Sequence, residues 1–355
     1  MQKAYLILEN GTIFEGTGFG ATGEAVGEIV FTTGMAGYLE TLTDPCFYGQ
    51  IVVQTFPSIG NYGVLTDNME SGDAHVKAYI VREWCQEPSN YRCEGDLDTF
   101  LKQKNIVGLC GIDTRQLTKM IRENGVMNGK IVSEGASFGL TDIKGYAIEN
   151  AIESVTCKEA STVKPEGETK FRVAVLDLGM RNSMRKQLLG RGYELTVLPA
   201  FTKAEKILEL GVDGVVITQG PGDPSDYGSI ADEIAKLCEK KMPIFAVGMG
   251  HELTAVAHGA KTYKLKYGHR GANQPVEYMA TGKTFITSQN HGYGIEHIAL
   301  PDNAKSSFIN VNDRSCEGLE YEGEPIVSVQ FDPELDGGPL DTGFLYDKFE
   351  QFMAK

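Results

Sequence analysis

The residues best placed to do chemistry gather around one short segment, Pro243-Ile244-Phe245-Ala246-Val247-Gly248-Met249-Gly250-His251-Glu252-Leu253. An apolar strand that turns at once into a helix, with small–x–centre–x–Gly spacing, is the layout of a nucleophile elbow. Such a turn lifts its central side chain to a helix N-terminus. There the dipole favours a thiolate and backbone N–H groups can hold an oxyanion. The centre here is Gly248, which has nothing to attack with. Taken alone, the segment reads equally well as an ordinary strand-to-helix turn, because short glycine turns are common. Three other segments accompany it: Gly220-Pro221-Gly222-Asp223-Pro224, Ser288-Gln289-Asn290-His291-Gly292-Tyr293 and Ser328-Val329-Gln330-Phe331-Asp332-Pro333-Glu334.

The elements that must position these loops alternate regularly. Strand patterns at Arg172 to Leu176, Leu195 to Leu198, Gly214 to Thr218 and Ile244 to Val247 are separated by helical patterns. The helices are expected at Met184 to Leu189, Lys203 to Leu210 and Ile230 to Lys240. That rhythm predicts a parallel sheet with helices on both faces. Ligands of such sheets lie beyond the carboxyl ends of the strands, where both glycine loops fall. Residues 1–150 read differently, as a β-rich α/β domain. Short β-branched runs such as Glu28 to Thr33 and Gln50 to Gln54 precede a helical stretch from Thr114 to Glu123. The polar stretch 151–170 reads as a linker, and 171–355 as the second domain.

At 355 residues the chain has room for two or three domains. A net charge of −15 argues against a nucleic-acid partner. No apolar run approaches membrane-spanning length, and the N-terminus lacks the apolar core of a signal peptide. Seven scattered cysteines without a CxxC pair fit reduced thiols, so a cytoplasmic location is expected. No phosphate-binding Gly-x4-Gly-Lys-Ser/Thr loop is present, so this chain is expected to need no cofactor of its own.

The four chemistry-bearing segments, in this order, resemble class I glutamine amidotransferases, whose elbow reads G-x-C-x-G-x-Q and whose late motif reads H-P-E. The whole chain resembles more closely the small subunit of carbamoyl-phosphate synthetase. The N-terminal half carries Gly20-Ala21-Thr22-Gly23, Val26-Gly27-Glu28-Ile29-Val30-Phe31, Met35-Ala36-Gly37-Tyr38, Leu42-Thr43-Asp44-Pro45, Gly60-Asn61-Tyr62-Gly63 and Gly111-Ile112-Asp113-Thr114-Arg115. Downstream stands Tyr267-Gly268-His269-Arg270-Gly271-Ala272-Asn273-Gln274-Pro275-Val276. The resemblance implies a flavodoxin-like amidotransferase domain in the C-terminal half. It also implies a Cys-His-Glu triad that hydrolyses glutamine and passes ammonia to a large synthetase subunit. That partner makes carbamoyl phosphate from bicarbonate and ATP, for pyrimidine or arginine biosynthesis.

Against that pattern the chain departs where it matters most. Gly248 stands at the nucleophile position, Asp332 at the histidine position, and Glu334 alone is retained of the triad. A thioester needs a sulfur, and a carboxylate beside a glutamate cannot reproduce an imidazole. The pocket residues implied by the resemblance are altered too. Glu252 replaces the elbow Gln, Cys46 a small hydroxyl residue, Met249 a Leu, and Ala246 the first elbow Gly. Gly220, Gly222, Asn290, Gly292 and Tyr293 persist. The segment Asp177-Leu178-Gly179-Met180-Arg181-Asn182 looks one residue short. His251 and His269 are expected to be structural, and Cys46 and Cys238 small buried thiols. A cation cluster of Asp332, Glu334, Glu252 and His291 is conceivable from residue types, but the spacing matches no dedicated metal motif. The expected function is therefore that of a non-hydrolysing small subunit. The alternative is a binding or regulatory module for glutamine or another amino acid, with Glu252 favouring a more cationic ligand.

Overall fold

The β-branched runs of the N-terminal half form strands, and the strands close on themselves. The computed structural model describes residues 2–135, 139–296, 298, 300–333 and 338–355. The chain folds as two units, Met1–Ala151 and Ile152–Lys355. In the first, seven strands follow one another round a closed barrel. They are Lys3–Leu8, Ile13–Gly20, Val107–Cys110, Ala78–Ile80, Gln50–Gln54, Ala25–Thr32 and Met127–Ser133. Closure leaves no unpaired edge on this sheet. Thr114–Asn124 is helical, as its pattern predicts, and starts where the Asp113 carboxylate accepts the Gln116 N–H.

The second unit is built on a ten-stranded sheet. Five strands are parallel, in the order Tyr193–Pro199, Phe171–Asp177, Gly214–Ile217, Ile244–Val247 and Ile326–Val329. Four of them are the strands the apolar runs predict, and the intervening helices Asn182–Gly190, Ala204–Glu209 and Gly228–Glu239 fall where expected. Alternate residues serve opposite faces. Ala174, Leu176, Ile244 and Ala246 pack with Ile207, Ile230, Ile234, Leu237 and Leu253. Val173, Val175, Phe245 and Val247 pack with Met184, Leu188, Tyr346 and Phe349 on the other side. Each large apolar side chain so buried is worth about 1.5–3 kcal/mol, and together they hold the sheet rigid beneath its loops.

Two features of this unit were not read from the sequence. Within 151–170, the stretch Ala151–Val155 is helical and Ser161–Val163 pairs antiparallel with Tyr193–Pro199. Beyond Ile326–Val329 the sheet continues antiparallel through Cys316–Tyr321, Ala304–Asn310, and a long hairpin of Thr262–Tyr278 with Lys283–Ile295. Among the described residues, no helix is long and apolar enough to cross a membrane.

Candidate active site

The elbow forms where its spacing predicts. Ile244–Val247 is wholly buried between two parallel neighbours, and the chain turns at Gly248 into the helix Met249–Ala257. Gly248 has φ 56° and ψ −118°, a conformation that costs a non-glycine residue about 1–3 kcal/mol. Its N–H donates to Val329 O at 3.0 Å, tying the turn to the adjacent strand. The second elbow glycine answers to sterics alone: a methyl group on Gly250 would lie 2.3 Å from Ile217 O. At Gly248 the crowding comes from Gln219, whose Cβ would lie 3.0 Å from a Cβ placed there. Gln219 is buried, and among the described residues neither atom of its carboxamide finds a hydrogen-bond partner.

Asp332 is held in a buried ion pair. Asp332 follows the strand Ile326–Val329, and its N–H donates to Ser288 O at 2.9 Å. Its carboxylate faces Arg181, Oδ1 to Nη1 2.5 Å, with the two side chains only 4% and 1% exposed. The loop after Phe171–Asp177 carries Arg181 there. Asp177 Oδ1 accepts the N–H groups of Gly179 (3.0 Å) and Met180 (2.7 Å), and Arg181 then stands at the N-cap position of the helix Asn182–Gly190. Each charge lost its water on burial, at a cost of several kcal/mol per ion, so each holds the other in place. Glu334 lies outside the described residues.

Glu252, in the first turn of the elbow helix, is also buried and accepts from Gln330 Nε2 at 3.1 Å. Burial pushes its pKa up to about 8, so near neutral pH it is mostly a protonated acid, close in shape and charge to a glutamine. His251 is buried beside Ser328 Oγ (2.6 Å), and burial drives its pKa down to about 3, leaving a neutral ring. Met249 packs into the core with Leu253 and Ile217. Gly220 lets the loop approach closely, since a methyl there would lie 2.4 Å from Leu178 O, and Gly222 takes φ 101°. Asn290, Gly292 and Tyr293 lie on Lys283–Ile295, with Asn290 paired to Arg270 and Tyr293 to Lys264. A methyl on Gly292 would lie 3.1 Å from Arg270 Nη2.

Cys46 belongs to the first unit, buried in the single turn Pro45–Phe47, and its N–H donates to Asp44 Oδ1 at 2.9 Å. Burial pushes the Cys238 thiol up to about 12, as suits a core residue. Among the described residues, Asp332, Glu252 and His291 of the cation cluster conceived from residue types do not gather into one group. Asp332 is held by Arg181 and Glu252 by Gln330, while His291 instead joins His269 and Glu317. Sequence reasoning missed Arg181, Gln219 and Gln330 as site residues. The altered length of Asp177–Asn182 was the one signal pointing to the first.

Residues 6–131 match the family described as carbamoyl-phosphate synthase small chain, CPSase domain, and residues 174–352 match glutamine amidotransferase class-I. Among relatives, the carbamoyl phosphate synthase small chain of Clostridium perfringens is 45% identical over 354 residues, covering 99% of each chain. Its counterpart from Fusobacterium nucleatum is 45% identical over 353 residues, covering 98% of each. That of Archaeoglobus fulgidus is 42% identical over 365 residues, covering 99% of each.

Proposed function

Because the chain belongs to the carbamoyl phosphate synthase small-chain family, we propose that it acts as a small subunit that no longer hydrolyses glutamine. The observation that carries this reading is the elbow apex: Gly248 offers no nucleophilic atom, and Gln219 crowds the space a side chain would need. The Arg181–Asp332 pair supports it, since a carboxylate already committed to a guanidinium is not available to take a proton from a nucleophile. Nearly full-length similarity to small chains supports association with a large synthase subunit, which would then draw on free ammonia. Bicarbonate and ATP are assigned to that partner, in pyrimidine or arginine biosynthesis, and the pair is assigned to the cytoplasm.

The reading as an amino-acid sensor is less well supported. Glu252 is mostly uncharged near neutral pH and already bonded to Gln330, so it offers no anion to a cationic ligand. Co-expression with a large subunit from the native host tests the proposal. The expected outcome is a stable complex that makes carbamoyl phosphate from ammonium and ATP but not from glutamine. Failure to co-purify with any large subunit, or synthesis driven by glutamine, overturns it.

A further inference from the structure

A second polar centre in the same unit is built on the hairpin, where His291 stands between Asn290 and Gly292. His269 and His291 face each other directly across the hairpin, brought into register by an irregularity between Lys264 and His269. Their rings stand nearly perpendicular, at 83°. The outward nitrogen of each is engaged: His269 Nε2 lies 2.9 Å from Asp313 Oδ2, and His291 Nδ1 lies 2.6 Å from Tyr293 O. With those atoms donating, His269 Nδ1 and His291 Nε2 turn their lone pairs inward, 3.2 Å apart.

Glu317 closes the group from the strand Cys316–Tyr321 and is wholly buried. Its Oε1 lies 3.2 Å from His269 Nδ1 and accepts from Ser315 Oγ (2.9 Å) and Asn310 Nδ2 (3.3 Å). Its Oε2 lies 3.9 Å from His291 Nε2 and finds no hydrogen-bond donor among the described residues. Two inward ring nitrogens beside a buried, under-satisfied carboxylate call for a positive species between them, either a proton on one ring or a metal ion.

From this geometry we propose that His269, His291 and Glu317 form a binding site for a zinc-like divalent metal ion. Metal–ligand bonds of about 2.0–2.1 Å in a tetrahedron set ligand atoms roughly 3.3–3.4 Å apart. The closest spacings here are 3.2 Å from His269 Nδ1 to His291 Nε2 and to Glu317 Oε1, and 3.9 Å from His291 Nε2 to Glu317 Oε2. Asp313 and the Tyr293 carbonyl are the orienting partners that metal-bound histidines ordinarily have. Gln289 Oε1 lies beside the group, 3.0 Å from His291 Nε2. Two imidazoles with one carboxylate suit zinc or a similar borderline ion rather than magnesium or calcium, which take oxygen ligands. The other such group, Cys238, His258 and Glu324, is less suited. Burial pushes its thiol up to about 12, so the sulfur must lose a proton at some cost before it can ligate.

The test is to strip the full chain with a chelator, then titrate zinc by calorimetry and cobalt by visible absorption. One ion per chain is expected, with a tetrahedral cobalt spectrum. Affinity should fall at least a hundredfold in Glu317→Gln and in His269→Gln, fall tenfold or more in Asp313→Asn, and be unchanged in Cys238→Ser. Should a variant fail to fold, zinc-soaked crystals of the unaltered protein decide: an anomalous peak among the three side chains supports the site. No stoichiometric binding, binding unaffected by Glu317→Gln, binding lost in Cys238→Ser, or a peak elsewhere overturns it.

Discussion

Asp332→Asn should destabilise this protein far more than a substitution at a supposed active-site residue normally does. The carboxylate and the Arg181 guanidinium are 2.5 Å apart and almost fully buried. Removing one partner of such a buried pair typically costs about 3–5 kcal/mol. Asp332→His, the change that restores the family residue, meets the same cost, because a neutral imidazole does not replace the lost negative charge. Arg181→Met should cost a similar amount for the converse reason. The double variant Arg181→Met/Asp332→Asn should lose much less than the sum, with a coupling energy of at least about 2 kcal/mol. Urea unfolding of the four proteins, followed by far-UV circular dichroism, measures the cycle. Hydrogen exchange in Ile326–Val329 would localise the change. If Asp332→Asn is within about 0.5 kcal/mol of the parent, or the two substitutions simply add, the ion pair does not hold the site and the reasoning fails.

Gly248→Cys should lower stability by about 1–3 kcal/mol, from backbone strain alone, and restore no glutamate release; an active single variant would contradict this. Recovery of hydrolysis should require at least Asp332→His in addition, together with a change at Arg181, which the aspartate now faces, measured as glutamate release by the combined variant. Glu252 makes stability fall with pH. The native state keeps its proton to about pH 8, whereas the unfolded chain loses it near the ordinary 4.5, so stability declines across that window. At 1.36 kcal/mol per pH unit the loss has a ceiling on the order of 5 kcal/mol. Glu252→Gln should flatten that slope and stabilise the protein at pH 8, and unchanged pH profiles of unfolding would refute it.

Much of the scaffold was legible because its signals are local. The buried parallel strands announce themselves as apolar runs such as Val173–Leu176 and Ile244–Val247, and the elbow by spacing alone. The barrel was not legible as a barrel: strands as short as Ala78–Ile80 pair with partners distant in sequence, and no local pattern encodes that order. The same limit hid the site's second half. Gly248 and Asp332 could be set against a family pattern because a motif surrounds each, but Arg181 meets Asp332 only once the first and last parallel strands share a sheet. Gln219 sits beside glycines that drew attention away from it, and its effect arises from a 3.0 Å approach that only the fold defines. His269 was expected to be structural. Its neighbours His291, Asp313 and Glu317 come from the hairpin, a connecting turn and another strand, which no spacing rule joins.

The most direct test of the central claim is chemical. The purified chain, alone and with a large subunit, is incubated with an electrophilic glutamine analogue that alkylates amidotransferase nucleophiles, and its intact mass is measured. The account predicts an unmodified mass and no glutamate released from glutamine itself. A stoichiometric adduct on any thiol, Cys46 included, accompanied by glutamine hydrolysis, would contradict it.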